Sequence, residues 1–289
     1  MKKMIPLAIV YDFDGTLAPG NMQEREFIPA IGMKRKKFWN QVGSESKKHQ
    51  ADNILVYMKL MLEKAEAAQV QVRESDFKNY GKNLSFFDGV LPYQGQNQME
   101  KSWFDRINAY GKESKIKIDH FIVSSGIREM IQGTAVGKKF SKIYASSYFY
   151  DHHGIARWPA LAINYTTKTQ YLFRINKGCL DVSDTKEINN YVPDSERKVP
   201  FTNMIYIGDG ETDIPCFRLV KDRGGYSIAV YKPNTKGAKA KLNNLAKDGR
   251  INFMAPADYK INSLLDRIIK SIIDKVQTDN YLSDLEIKV

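Results

Sequence analysis

The sequence predicts an α/β fold: a Rossmann-like parallel sheet wrapped by helices, with a helical segment inserted after the first strand. Three observations carry this. Five nearly continuous apolar runs of strand length alternate with helical stretches, and strands covered on both faces read as such runs. Three of the runs end in polar clusters, "DFDGT", "SSG" and "GDGETD", and open α/β sheets bind ligands beyond the carboxyl ends of their strands. Residues 20–88 show helical but no strand pattern, too much chain for a loop.

Taken in order, "LAIVYDF" is the first strand and the "APG" after it turns the chain into the insert. Within the insert, "ADNILVYMKLMLEKAEAAQ" (51–69) is the clearest helix. A helix over 96–114 precedes the second strand, "DHFIVSSG" (119–126). Residues 143–175 are rich in aromatic and β-branched side chains around a "DHHG" turn and predict hairpin-like structure. "DVSDTKEINNYV" (181–192) predicts a helix before the third strand, "NMIYIGDG" (203–210). "YSIAVY" (226–231), "INFMAPADY" (251–259) and a C-terminal helix over 261–277 complete the pattern.

Composition sets the outer limits. The 289 residues are 43% hydrophobic and 27% charged, ordinary for a globular chain. No apolar run approaches the roughly 20 residues of a membrane helix. The N-terminal "MKKMIPLAIVYDFDG" superficially resembles a signal peptide but lacks a small-residue cleavage site, so it reads as the first strand. Two cysteines, Cys179 and Cys216, are too few for a disulfide framework, and a cytoplasmic, reducing location is expected. The net charge of +11 permits anionic partners, but no nucleic-acid module is present. "KRKK" at 34–37 and Lys47–Lys48 read as a solvated helix face. His152 and His153 read as turn residues, Cys216 as packing, and Trp39, Trp103 and Trp158 as packing residues, with Trp39 placed where it could touch substrate.

The chemistry lies at the strand tips. Their convergence brings Asp12, Asp14, Asp209 and Asp213 together, and four carboxylates repel unless something positive sits among them. An all-oxygen donor set suits a hard cation, with Mg2+ the natural choice.

"DFDGT", the hydroxyl of "FIVSSG", the lysine of "NKG" and "GDGETD" resemble, in order and spacing, the four motifs of the haloacid dehalogenase superfamily. The helical insert, the hairpin-like segment and the "KG" read as opening a helix resemble its phosphoserine phosphatase branch most. The resemblance implies a core of residues 1–19 and 89–289, with residues 20–88 as a helical cap. It implies a Mg2+-dependent phosphatase that hydrolyses a small phosphorylated metabolite. Asp12 resembles the nucleophile that becomes an aspartyl phosphate, and Asp14 the general acid/base. Thr16, Ser124 or its neighbour Ser125, the Ser125 and Gly126 amides, and Lys177 resemble the phosphate-binding set, with Lys168 as the alternative lysine. Asp12, the Asp14 backbone carbonyl and Asp209 resemble the Mg2+ ligands, and Asp213 the acid that holds a water ligand or the lysine.

Asp14 favours phosphoryl transfer over dehalogenation, since a departing halide needs no proton. Transfer to an acceptor other than water, or phosphate-ester binding without turnover, are the alternatives. Where phosphoserine-specific enzymes carry a glutamate for the substrate amine, nine positions after the nucleophile, this chain has Asn21, with Glu24 and Glu26 the nearest acids. The insert carries Arg25, Lys34, Arg35, Lys36 and Lys37, a balance expected to suit a substrate with a second anionic group.

Overall fold

The computed structural model describes residues 4–285; the outermost residues of the predicted core, 1–3 and 286–289, lie outside them. β1 (Ile5–Tyr11) is the central strand. Its side chains alternate between two apolar layers: Leu7, Ile9 and Tyr11 enter one cluster, Ala8 and Val10 the other. This is the period-2 geometry of a strand covered on both sides. Burying each of Leu7, Ile9 and Val10 contributes roughly 1.5–3 kcal/mol, so the tip of β1 is held on a rigid base.

The insert follows with α1 (Phe27–Ala30), α2 (Arg35–His49), α3 (Asn53–Ala67) and α4 (Glu74–Lys82). A small ribbon, β2 (Tyr93–Gln94) and β3 (Met99–Glu100), returns the chain to α5 (Trp103–Glu113). The helix predicted over 96–114 therefore starts later, where Ser102 accepts the Asp105 amide and caps it. β4 (Ile116–Ile127) and α6 (Arg128–Gly133) follow, then β5 (Lys142–Tyr150) and β6 (Ala156–Leu161). After α7 (Lys168–Lys177) come β7 (Met204–Gly208), α8 (Ile214–Asp222), β8 (Tyr226–Tyr231), α9 (Ala238–Lys247), β9 (Phe253–Pro256) and α10 (Leu264–Leu285).

The sheet order is β6-β5-β4-β1-β7-β8-β9. Every pairing from β5 to β9 is parallel, and only β6 runs antiparallel. The five predicted runs are β1, β4, β7, β8 and β9. The hairpin-like segment supplies two further strands but is shorter than predicted: its last third forms the loop and most of α7. The first half of β5 pairs with β4 and the second half with β6, so the hairpin projects past the carboxyl edge of the sheet. Its exposed face carries Phe149 and Trp158, stacked with centroids 5.8 Å apart. Trp158 is thus a surface residue, whereas Trp103 is fully buried.

The helix predicted over 181–192 does not form; short 3-10 turns lie at Glu187–Asn189 and Asp194–Glu196. Asp181 accepts the Ser183 amide, and Asp184 accepts the Lys186 and Glu187 amides. Such local side-chain bonds give the backbone an alternative to helical pairing.

The helices of the insert share one apolar cluster with a face of the sheet, Phe38, Met58 and Phe77 packing in the same interior as Leu7 and Ile9. Hydrogen bonds cross at several points: Tyr57 Oη donates to the Ser125 carbonyl (2.6 Å), Tyr148 Oη to the Met58 carbonyl (2.9 Å), and Phe87 N to the Leu17 carbonyl (3.0 Å). Asn164 Nδ2 donates to Asp52 Oδ2 at 2.6 Å, while Asp52 Oδ1 caps α3. Among the described residues no helix is long and apolar enough to cross a membrane.

The crossing of α4 over α6 is the tightest of these contacts. A Cβ at Gly81 would land on the Met130 carbonyl, and one at Gly133 on the Lys78 carbonyl. Backbone atoms cannot swing aside, so Gly81→Ala and Gly133→Ala are each expected to destabilise the protein by about 1–3 kcal/mol. Chemical denaturation of each variant checks this; a loss below about 0.5 kcal/mol would show that the two helices separate freely.

Candidate active site

The site lies at the carboxyl edge of the sheet, where β4 and β7 flank β1. This is the switch point at which crossovers leave in opposite directions and a crevice opens. Asp12 N still follows the ladder, donating to the Ile207 carbonyl at 2.9 Å. Beyond it the chain turns sharply. The amides of Thr16, Leu17 and Ala18 all point to the Phe13 carbonyl, at 3.3, 2.9 and 3.1 Å. This turn presents Asp12 and Asp14 to the crevice, and Asp14 Oδ1 accepts the Met22 amide at 2.9 Å, tying the turn to the start of the insert.

Lys168 is the centre of the charge arrangement. It is fully buried, with Nζ 2.7 Å from Asp213 Oδ1 and 3.2 Å from Asp12 Oδ1. The Asp12 contact is an ion pair without hydrogen-bond alignment, and Asp12 Oδ1 has no hydrogen-bond partner. Asp213 is saturated. Oδ1 also accepts from Tyr206 Oη at 2.6 Å, and Oδ2 accepts the amides of Asp209 and Gly210 at 3.1 and 3.3 Å. Asp213 therefore orients Lys168 and the β7 tip and has no lone pair facing the crevice unused.

Burial sets the proton affinities. It raises Asp12 to about 6, with Lys168 opposing and Asp213 adding to the rise. It raises Asp14 well above the usual carboxylate range, and the Asp12 charge pushes the same way. Asp209 rises to about 8 through burial, then Asp213 and Asp12. Burial alone would lower the Lys168 ammonium, but Asp12 and Asp213 outweigh it and hold it above its ordinary value.

One cation does not neutralise these carboxylates, and the donor set fits a second. Ligand oxygens of Asp12, Asp209 and Asp213 lie within 4.8 Å of one another. Since Asp213 is occupied, Asp12 and Asp209 are the two able to ligate. A Cβ at Gly15 would fall on the Asp209 carboxylate, so the turn leaves that carboxylate room only because it carries glycine. Hard oxygens at this spacing suit Mg2+, and a bound cation would reverse the upward shifts.

The phosphate-binding set predicted from sequence is brought together in part. Ser124 Oγ accepts the Gly126 amide at 3.1 Å, and its hydroxyl reaches Asp12. Ser125 and Gly126 line the same cavity, and Ser125 Oγ is buried without a partner. The Gly126 amide, however, is taken by Ser124, and α6 begins only at Arg128, so neither predicted amide opens a helix. Thr16 is fully buried, its hydroxyl without a partner, and it does not line the cavity.

Lys177 is not at the site. Its Nζ donates to the Ile188 and Asn190 carbonyls. "NKG" closes α7 instead of opening it: Gly178 sits at φ 80 and its amide returns to the Arg174 carbonyl, the glycine stop of a helix. A helix feeding a parallel strand runs against it, so its N-terminus lies at the carboxyl edge of the sheet. Lys168 opens α7 there, and Lys177 lies about 14 Å away at the far end.

The cavity has a volume of 830 Å³ and runs between the insert and the sheet edge. Gln23, Asn53 and Tyr57 of the insert line it, and sequence reasoning passed over them. The basic residues predicted to serve it, Arg25 and Lys34–Lys37, do not line it; Lys232, Lys236 and Lys241, just past β8, do. The carboxyl-end rule that located the aspartates applies equally to the "YKPNTKGAKAK" after β8 and was the signal for them. Asn21 also lines the cavity, its amide bonded to Glu24 Oε1 at 2.9 Å. The same Glu24 oxygen accepts Trp39 Nε1 at 2.8 Å.

Comparison with known proteins follows the same lines. The haloacid dehalogenase-like hydrolase family matches residues 9–218. An uncharacterized protein of Borreliella burgdorferi is 31% identical over 287 residues, covering 88% of this chain and 91% of that relative. A HAD family hydrolase of Salmonella enterica serovar Typhi superposes with a TM-score of 0.56 at 14% identity, over 95% of this chain and 74% of that one. A phosphoserine phosphatase in apo form superposes with a TM-score of 0.53 at 15% identity, over 92% and 98% of the chains. For a probable phosphoserine phosphatase of Vibrio cholerae the values are 0.51, 13%, 95% and 67%. At these identities the structural likeness concerns the fold.

Two outcomes follow from the charge arrangement. Lys168→Met strands two buried carboxylates and is expected to cost about 3–5 kcal/mol in metal-free buffer, against about 1 kcal/mol for Lys177→Met, measured by urea denaturation. Mg2+ at a hundred times its dissociation constant is expected to stabilise the protein by about 2.7 kcal/mol. Calorimetry should show this stabilisation largely lost in Asp209→Asn; an equal gain in that variant would place the ion elsewhere.

Proposed function

The chain belongs to the haloacid dehalogenase-like hydrolases, and from that premise we propose a Mg2+-dependent phosphatase that hydrolyses a small phosphomonoester through an aspartyl phosphate on Asp12. The observation that carries this reading is the split between two aspartates of one turn. Asp12 faces Lys168 and the Ser124 hydroxyl, which both favour its ionised form. Asp14 Oδ1 accepts the Met22 amide instead of a cation, and burial and the Asp12 charge raise it well above the usual carboxylate range, which favours its protonated form. Neighbouring carboxylates whose surroundings separate their proton affinities can divide the labour of nucleophile and acid.

In the first step an Asp12 oxygen bonds to phosphorus as the ester P–O bond breaks, and Asp14 gives its proton to the departing oxygen. The alcohol then leaves. In the second step Asp14, now ionised, takes a proton from a water whose oxygen bonds to phosphorus; the bond to Asp12 breaks and inorganic phosphate departs. Lys168 and Ser124 hold the phosphoryl oxygens through both steps, with Ser125 beside them. Asp213 positions Lys168 by holding it from behind. The Asp12 and Asp209 carboxylates and, as the family resemblance implies, the Asp14 carbonyl would hold Mg2+, which would supply charge neutralisation for the phosphate.

The decisive measurement is phosphate release from an aryl phosphate with Mg2+ and with chelator. Asp12→Asn is expected to remove turnover to background, and Asp14→Asn to lower it by about 10²–10⁴-fold. Asp14→Asn should cost least with leaving groups that depart without a proton. Full activity in Asp12→Asn, or in chelator, would overturn the reading.

A further inference from the structure

Three lysines of the cavity wall have no role in the chemistry just described. Lys232 follows the tip of β8, and Lys236 and Lys241 flank the start of α9. Among the described residues none of the three has an ion pair or side-chain hydrogen bond, whereas Lys168, the remaining lysine of the cavity, is fully engaged. Away from Asp12, Asp14 and Asp209, the only acid among the described residues that lines the cavity is Glu211, exposed beside the β7 tip. The wall past β8 is therefore of one sign. The first turn of α9 carries no acid, so its free amides add to the same potential.

A second observation comes from the opposite wall. Gln23 is 2% exposed, lines the cavity, and its Oε1 has no hydrogen-bond partner. The other end of the Gln23 side chain is engaged with the Tyr57 hydroxyl. A buried amide oxygen left unpaired is costly; this one is sealed from solvent, so a donor in the cavity meets it only as the side chain turns.

We infer, building on the phosphatase reading, that the substrate is a small phosphomonoester with a second anionic group, received by Lys232, Lys236 and Lys241, and a hydroxyl or amine donor between the two anions, received by Gln23. Spacing supports a compact molecule. β8 is two strand spacings from β1, about 10 Å, and the three exposed lysines line the cavity from that side. A free amine as the second group fits poorly: Asn21 and Trp39 occupy Glu24, and the wall opposite is cationic. The class is a phosphorylated polyol or hydroxy acid whose far end is a phosphate or a carboxylate.

The test compares kcat/KM for matched substrates: a sugar bisphosphate, a phosphorylated hydroxy acid, and a sugar monophosphate with a neutral far end. Wild-type protein should prefer one of the first two over the neutral-ended ester by roughly ten- to a hundredfold, and which of them wins tells a phosphate from a carboxylate. In Lys232→Ser/Lys236→Ser/Lys241→Ser the preference should collapse, mostly through KM. Gln23→Leu should lower kcat/KM for hydroxyl-bearing esters more than for an aryl phosphate, without lowering the melting temperature. Equal use of neutral-ended and anionic-ended esters by the wild type, or an equal loss on every substrate in the triple variant, would overturn the inference. Titration calorimetry on Asp12→Asn keeps the two readings apart. If no ester is turned over, the phosphatase reading falls, and the subsite stands or falls on whether the bisphosphate binds Asp12→Asn more tightly than the monophosphate does.

Discussion

The buried triad of Asp12, Lys168 and Asp213 is the constraint on which the rest of the site depends. Two carboxylates and one ammonium are out of water together, and such a group is stable only when its remaining lone pairs are satisfied. Asp213 meets that condition through Tyr206 and two backbone amides. Asp12 does not, since its Oδ1 has only the unaligned Lys168 contact. The triad is thus complete on the Asp213 side and open on the Asp12 side. That asymmetry makes Asp213 a support and leaves Asp12 as the end the proposed chemistry uses.

The triad also joins three elements distant in sequence. Asp12 ends β1, Lys168 begins α7 and Asp213 precedes α8. Each is delivered by an apolar element packed on the sheet, and all three meet at one edge because strand ends and the starts of the returning helices share that edge. The loop that delivers Lys168 is tied to the insert through Asn164 and Asp52. The same insert contributes Gln23, Asn53 and Tyr57 to the cavity. The cavity-lining groups of the insert and Lys168 are thereby held by one connected network.

Legibility in the sequence followed the range of the interaction that placed each residue. Asp12, Asp14, Ser124 and Asp209 sit at the ends of apolar runs, and a strand end is a local feature that alternation and composition reveal. Lys168 and Lys177 both lie in α7, and choosing between them requires the direction of that helix. "NKG" has the composition of a turn at either end of a helix, and only the αL conformation of Gly178 makes it a stop. The segment 181–192 misled for a related reason: its periodicity suits a helix, but Asp181 and Asp184 pair with nearby amides. Arg25 and Lys34–Lys37 were expected to suit a second anionic group because charge density is visible in sequence, whereas the direction in which a helix face points is not; the reading of 34–37 as a solvated face fits their place outside the cavity.

By itself the sequence determined the fold class, the helical nature of the insert and the aspartates that meet at the sheet edge, because burial periodicity and strand-end chemistry are written within a few residues. Only the tertiary structure decided which lysine closes the charge balance, that Asp213 takes the lysine-holding one of the two roles the resemblance left open, and that the free cations of the cavity come from the core beyond β8. Those outcomes depend on which ends of distant elements share an edge, a property of chain direction and packing that no local stretch of residues encodes.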